Sequence, residues 1–545
     1  MKNKFNLLLS LFFSFTLCFF GPLELYFSIY EEVWFGINHI FKLVILVFAV
    51  FFAGMFAFLS IVNKIGGKLY NILSTLIFGL TLAAYIQGNY LPSSFGTMNG
   101  EAVDWSSFGT ETVLSVALWI VITSACFFTR KWIKTEKICL SARVVMICIV
   151  LVQIVTLGTL CLTTDGLKSK SSAAFLDKNE YVYSPDKNVV VLLLDMYDSR
   201  VFQTICDEPG NEQYTDMLDG FTYYPDTVGA YSLTFCAVPH ILTGEKYLND
   251  MDMGMYINEA YKKSPLFNEL KEEQYEINIY TNEAVPTDEE AYEMISNYLP
   301  EESSDTYVSS NRRLLSYLYR LVGIRYLPQP LKRYCWFYSA ELWDLREVNY
   351  EDKLYALDNF MFDRGIDKME VNADRNTFHF YHLDGMHSPC YFDESFERTP
   401  ENISSEGLQG TIRNGKGMLV LVRHFIEQLK EQGIYDNCAI VILADHGGRV
   451  IGDSRDAGIN NSNPLLLIKG FGETHSLEIS TKAISYDDLQ KAFHRLLNGS
   501  GGEEVFSDVP HEEERKRYFM DASNFAEYYT TGHAFDVDAF KLAQD

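Results

Sequence analysis

Five apolar stretches crowd the first third of the chain, covering roughly 5–27, 40–62, 69–91, 113–128 and 138–162. A bilayer core of about 30 Å takes roughly 20 apolar residues as helix, and most of these stretches are that long. The first is broken by Gly21-Pro22, and the fourth is short. Lys2 and Lys4 ahead of an apolar run also fit a secretory leader, but no small-residue cleavage site follows and the second stretch comes within a short loop. The first stretch is therefore expected to stay as an anchor. Charges between the stretches alternate. Lys2, Lys4, Lys64, Lys68, Arg130, Lys131, Lys134 and Lys137 fall on one side, and Glu31, Glu32, Glu101, Asp104 and Glu111 on the other. Basic loops mark the cytoplasmic face, so the N-terminus is predicted inside and everything after 162 outside.

Beyond 162 the pattern changes. A polar segment, 163–186, reads as a linker and is followed by continuous apolar runs that end in polar residues. Asn188–Leu194 ends at Asp195, Cys438–Ala444 at Asp445-His446, 376–382 before Asp384-Gly385, and 464–468 at Lys469-Gly470. Such runs are what strands buried on both faces of a parallel sheet look like. Helical periodicity separates them, most clearly over 415–432, where Leu419, Val422, Phe425, Ile426 and Leu429 share a face. The predicted fold is an α-helical membrane domain of five transmembrane helices, then an exported α/β domain with a mostly parallel central sheet. The expected boundaries are 1–165 for the membrane domain, 166–187 for the linker, 188–500 for the exported α/β domain and 501–545 for a small terminal subdomain.

Composition sharpens this division. The 545 residues carry a net charge of -27, yet residues 1–165 hold 10 basic and 8 acidic residues, so the acidity belongs to the exported part. A polyanionic partner needs a basic surface, and nucleic acid is excluded. Five of the ten cysteines lie in or beside the apolar stretches, and the other five, an odd number, show no metal-binding or disulfide spacing. One acidic-free segment stands out. Residues 306–340 hold Arg312, Arg313, Arg320, Arg325, Lys332 and Arg333 among aromatic and aliphatic residues. That mixture suits a segment docked on anionic lipid, or a helix pair packed on the sheet with its arginines solvated.

Open α/β sheets bind ligands outside the carboxyl ends of their strands, where Asp195, Asp384, Asp445 and His446 all fall. Asp445 and His446 supply a hard oxygen and an imidazole nitrogen, both good ligands for a divalent metal. Asp195 alone also fits a helix cap, but two carboxylates converging at strand ends repel unless a cation lies between them. The third element is Tyr231-Ser-Leu-Thr234-Phe-Cys-Ala-Val-Pro239-His-Ile-Leu-Thr243-Gly244. Here the chain resembles the sulfatase and alkaline phosphatase superfamily, whose nucleophile signature pairs a hydroxyl or thiol residue with a following Pro and a Leu-Thr-Gly. Thr234 with Pro239 five residues later is similar to the membrane-bound phosphoglycerol and phosphoethanolamine transferases, the group of lipoteichoic acid synthase. The stretch His382-Leu-Asp-Gly385-Met-His387-Ser-Pro389 is similar to that family's His-x-x-Gly-x-His-x-Pro.

The resemblance implies an alkaline phosphatase-like fold with Thr234 as catalytic nucleophile. It implies Asp195, Thr234, Asp445 and His446 as ligands of one divalent metal, Mn or Zn with Mg possible. His387, His382 and Arg449 are the expected substrate contacts, and Asp198 is expected to start a helix. The implied reaction moves phosphoglycerol, or else phosphoethanolamine, from a membrane phospholipid to a cell-surface glycan or lipid through a phosphothreonine. Two departures matter. The transferases commonly carry Glu at the position of Asp195, and no further His follows Asp445-His446-Gly447 through Asn463. A sulfatase-like phosphodiesterase or sulfoester hydrolase is the enzymatic alternative, and a degenerate binding protein the non-catalytic one.

Overall fold

The computed structural model describes residues 2–30, 33–91, 95, 98, 103, 105–132, 135–168, 173–288, 293–300, 306–348, 352–448, 460–509, 514–520 and 525–543. The chain divides into two compact units, Met1–Ser171 with Asp305–Asn349, and Ser172–Ser304 with Tyr350–Asp545. The sequence reading puts 305–349 in the catalytic half, whereas the structure groups it with the apolar helices.

The first unit contains five helices long and apolar enough to cross a membrane: Asn3–Ser28, Ile37–Ile65, Gly67–Tyr90, Gly109–Thr129 and Lys137–Thr163. Four of them leave most of their apolar surface outward, with Leu46, Val50, Ile120, Val121 and Val155 exposed. Exposed apolar rows of this length suit helices whose solvent is lipid. The first helix differs, because 61% of its most apolar window is buried. Its Leu9 and Phe12 pack with Leu59 and Met146 in one core. Two hydrogen bonds join polar side chains of different helices in the bundle: Tyr70 donates to Asn6 at 2.6 Å, and Ser115 to Gln87 at 2.7 Å.

The inserted segment forms the helix Asn311–Tyr326, capped by Ser310, whose hydroxyl accepts from Arg313 N. Three of its basic residues, Arg320, Arg325 and Lys332, are turned into the unit, and Arg312, Arg313 and Arg333 are exposed. The Arg320 guanidinium lies 5.0 Å from the Phe337 ring and bonds the carbonyls of Cys335 and Trp336, while Arg325 pairs with Glu24 at 3.2 Å. Lys332 is buried. Long cationic side chains bring apolar stems as well as charge, so their composition alone does not separate a protein face from a lipid face.

The second unit is built on a seven-stranded sheet. We number its strands β1 (Asn188–Leu194), β2 (Thr222–Tyr223), β3 (Glu276–Tyr280), β4 (Thr377–Leu383), β5 (Cys438–Leu443), β6 (Leu466–Lys469) and β7 (Glu478–Ile479). Their order is β7-β2-β6-β5-β1-β4-β3, and the four strands from β5 to β3 run parallel. Every residue of β1 is buried because both faces are covered. Val189, Val191 and Leu193 enter one core with Ile241 and Leu242, and Val190, Leu192 and Leu194 enter the opposite core with Val422 and Phe425. Each fully buried aliphatic side chain contributes about 1.5–3 kcal/mol, which is why the run contains no polar interruption. The helices that matter to the site are α1 (Ser199–Asp207), α2 (Thr234–Thr243), α3 (Asn359–Ile366) and α4 (Leu408–Glu431). Helix α4 buries the face read from its periodicity and begins seven residues earlier than that reading.

Register brings the chemistry to one edge. Leu194 pairs with Leu383, and Leu443 with Leu193, so Asp195, Asp384 and Asp445 emerge together. The terminal strands Arg515–Met520, Phe525–Thr530 and Lys541–Leu542 form a separate antiparallel sheet. That sheet is fastened to the loop before α2 by the fully buried Arg517, which donates to the carbonyls of Gly229 at 2.8 Å and Tyr231 at 3.0 Å.

Candidate active site

Asp195 leaves β1 in a tight turn. The next residue, Met196, has φ +58°, and its amide donates to Asp445 Oδ1 at 3.1 Å. A non-glycine residue in the left-handed region carries strain that surrounding bonds must hold. Gly385, with φ +59°, packs on this turn, and a Cβ there would lie 2.3 Å from Asp195 N. Glycine is required on both counts. The Met386 amide completes the junction by donating to the Asp195 carbonyl at 2.8 Å.

Asp445 and His446 follow β5 and are buried. Thr234 is the first residue of α2, and its hydroxyl donates to Asp445 Oδ2 at 2.7 Å. Asp195, Asp445 and His446 each present a ligand atom, all within 4.8 Å of one another. The structure thus gathers four of the residues singled out in the sequence from three separate loops. Asn461 steadies this arrangement, because its side-chain amide donates to the Ser232 carbonyl and its Oδ1 accepts from Arg517.

The electrostatics of the cluster are unequal. Burial pushes the Asp195 carboxyl well above the ordinary carboxylate range, and the Asp445 charge pushes it further. Burial would also raise Asp445, but the His446 imidazole and the Thr234 hydroxyl bond outweigh it and hold that carboxyl low. One carboxylate is therefore charged and the other protonated when no cation lies between them.

Several features fit a divalent cation here. Asp195 Oδ1 and His382 Nε2 are buried without a hydrogen-bond partner. His446 Nδ1 lies 3.0 Å from the Gly447 carbonyl, which only accepts, so Nδ1 is the nitrogen that donates there and Nε2 is the one turned to the carboxylates. Nε2 sits 3.3 Å from Asp445 Oδ2, close enough for both atoms to face one cation. Two carboxylates, an imidazole and a hydroxyl form a suitable donor set, and they do not select among Mn, Zn and Mg.

His382 is fully buried at the end of β4, with Nε2 3.5 Å from Asp195 Oδ2. Burial keeps its imidazole below the ordinary range, so it is neutral. Thr281, just past β3, meets His382 Nδ1 at 2.9 Å through its hydroxyl, which also accepts from the Glu283 amide at 3.0 Å. Glu283 acts electrostatically on both Asp195 and His382. Sequence reasoning missed Thr281 and Glu283. The strand before them, Glu276-Ile-Asn-Ile-Tyr280, alternates instead of running apolar, so it gave no parallel-strand signal.

Replacing Thr281 with Val should lower turnover roughly 5–10-fold, the effect of about 1 kcal/mol of lost orientation. Thr281→Ser should restore it. Equal kcat for Thr281→Val and wild type would show that this hydroxyl does not position His382.

His387 lies in the turn after β4, and its amide donates to the Asp384 carbonyl at 2.9 Å. Burial pushes the Asp384 carboxyl up to about 7 despite the pull of His387. Among the described residues, His387 makes no hydrogen bond or ion pair to Asp195, Thr234, Asp445 or His446. Arg449 lies outside the described residues. Asp198 caps α1 through the Arg200 amide, pairs with Arg200 at 2.6 Å and accepts from the Gly448 amide at 3.0 Å. It is therefore a scaffold for the Asp445-His446-Gly447-Gly448 loop.

No curated protein matches the chain significantly. Among solved structures, the chain is similar to Ps i-CgsB, with 12% identity and a TM-score of 0.42 over 66% of this chain and 86% of that one. It is similar to an alkaline phosphatase superfamily protein from Vibrio parahaemolyticus, with 14% identity and a TM-score of 0.36 over 69% and 85%. It is also similar to the integral membrane protein lipooligosaccharide phosphoethanolamine transferase A from Neisseria meningitidis, with 12% identity and a TM-score of 0.36 over 92% and 96%. The family profile described as sulfatase matches residues 187–476, more than half of the chain, and the chain belongs to the sulfatase family.

Proposed function

We propose that this is a multi-pass membrane phosphotransferase that moves phosphoglycerol or phosphoethanolamine from a phospholipid to a surface glycan or lipid. Sulfatase-family membership and the Asp195–Asp445–His446 cluster support an enzyme acting on sulfate or phosphate esters. The observation that narrows this is Thr234, an unmodified hydroxyl bonded to Asp445 at 2.7 Å where sulfatases need a formylglycine precursor. Alternating loop charge supports placing the catalytic half outside the membrane.

Asp195, Thr234, Asp445 and His446 would hold a divalent cation, which when bound lowers the pKa of the threonine hydroxyl and offsets charge on the phosphoryl oxygens. Thr234 Oγ1 attacks phosphorus, and its proton passes to Asp445 Oδ2, to which it already donates. The bond from phosphorus to the diacylglycerol oxygen breaks, and that oxygen takes a proton from His387. An acceptor hydroxyl then gives its proton to His387 and attacks phosphorus from the opposite side, and the threonine oxygen leaves with the proton that Asp445 returns to it. Thr234 opens α2, so the positive end of that helix faces the transferred anion.

The test supplies purified full-length protein with labelled phosphatidylglycerol or phosphatidylethanolamine and added Mn or Zn. Diacylglycerol is expected from wild type and not from Thr234→Ala, with the label ending on a glycan or lipid acceptor. Label ending in water would favour the sulfatase-like hydrolase, to which Asp195 in place of Glu is the pointer. Release of no diacylglycerol by metal-loaded protein would overturn lipid phosphodiester cleavage.

A further inference from the structure

We infer that Asp305–Asn349 is a second, non-covalent anchor of the catalytic half, which completes the membrane unit and holds the enzyme there when the covalent linker is cut. The inference rests on the five apolar helices spanning a membrane and is independent of the reaction assigned above.

The first observation is a matched pair of backbone and side chain. Pro22 has no N–H, so the Cys18 carbonyl loses the partner that an α-helix would give it. The chain responds with a π-helical turn over Phe15–Phe20, where the Gly21 amide reaches back to the Thr16 carbonyl. The Cys18 carbonyl, without its α-helical donor, accepts from the Tyr319 hydroxyl at 2.8 Å. Inside a bilayer no water would satisfy that carbonyl, so the inserted segment supplies a bond the first span needs.

The second observation is steric fit. Leu314, Leu318, Val322 and Tyr326 form an i, i+4 ridge along the inserted helix, and all four are buried. Tyr326 seats its ring where a Cβ on Gly88 would come within 2.6 Å and a Cβ on Gly21 within 3.2 Å. Two glycines on different spans thus make the space that one tyrosine fills. Leu314, Leu318 and Leu345 join Phe20, Leu23 and Phe27 in a single core. The buried ridge is packed on protein, which distinguishes it from a segment lying in lipid.

Polar ties then reach the first and fourth spans and the approach to the second. Arg325 pairs with Glu24 on the first span, and the Gln329 amide donates to Ser115 on the fourth at 2.9 Å. Trp34 Nε1 donates to the Leu342 carbonyl at 3.0 Å just before the second span. The chain passes between the two units near 171, 304 and 349, so removing the first connection leaves two that run through the docked segment.

The test inserts a protease site at 169–172 of the full chain and cleaves it in isolated membranes. The C-terminal fragment is expected to stay in the pellet through a high-salt wash and to copurify with the N-terminal fragment in detergent. Release on cleavage overturns the proposal. Release by salt also overturns it, because attraction to headgroups is screened while a packed core is not. Retention in the membrane without copurification overturns it in favour of direct lipid insertion. Gly88→Leu, which fills the Tyr326 seat, should lose retention after cleavage, and Tyr319→Phe should weaken it if Gly88→Leu fails to accumulate. Gly54→Leu, at a position with no neighbour within 4 Å, should leave retention unchanged. Equal retention by Gly88→Leu and Gly54→Leu would refute the docking.

Discussion

Thr234→Ala is expected to reduce phosphodiester turnover by on the order of 10⁴-fold or more while the protein remains folded. The change removes the nucleophile that no neighbour replaces. Cys236 lies two residues along α2 and is buried, and burial pushes its thiol up to about 12, so it offers no alternative thiolate. The structural cost is small. Thr234 is the first residue of its helix, where alanine is a good helix former, and the lost hydroxyl bond to Asp445 is worth about 1–2 kcal/mol. Thr234→Ser keeps the hydroxyl and should retain measurable turnover. Mass spectrometry of wild type quenched during turnover should find the transferred phosphoryl group on Thr234 and on no residue of Thr234→Ala. A Thr234→Ala protein with full kcat would remove this side chain from the nucleophile role, whatever becomes of the family assignment.

How much of this was legible in the sequence depends on how each residue earns its place. Strands β1, β5 and β6 announce themselves because both faces are covered, which forces apolar runs such as Val189–Leu194, and β4 through the aromatic positions between its histidines. Asp195, Asp445 and His446 could be read because each stands directly after such a run, and Thr234 through its spacing to Pro239 and Thr243-Gly244. Thr281 could not be read, because its value lies in a single hydroxyl placed against His382 across the sheet from β3 to β4. Arg517 and Asn461 were equally silent, since the bond between them joins positions 56 residues apart. The inserted segment is the opposite case. Its composition was conspicuous, yet arginines beside aromatics describe a cation–π contact such as Arg320 on Phe337 as well as they describe a lipid surface.

Asp195→Asn should raise the stability of the metal-free protein and abolish its response to metal, two effects of opposite sign from one substitution. Without a cation, Asp195 holds its proton well above the ordinary carboxylate range, first through burial and then through the Asp445 charge. The unfolded chain releases that proton at lower pH than the folded one does. Metal-free stability therefore falls as pH rises from the ordinary carboxylate range towards the raised value, by about 1.4 kcal/mol per pH unit for one proton. An uncharged amide removes this penalty, so metal-free Asp195→Asn should be more stable than wild type at neutral pH and should lose the pH slope. Metal has the reverse effect on wild type. Binding displaces the Asp195 proton, so affinity should rise with pH, and metal at 100 times its Kd should add about 2.7 kcal/mol. Calorimetry with chelator and with Mn or Zn, at two pH values, reads both effects. Wild type should gain most from metal at the higher pH, where its metal-free form is weakest, and Asp195→Asn should gain nothing at either. If Asp195→Asn bound metal as tightly as wild type, Asp195 would lie outside the ligand set and its burial against Asp445 would need another explanation.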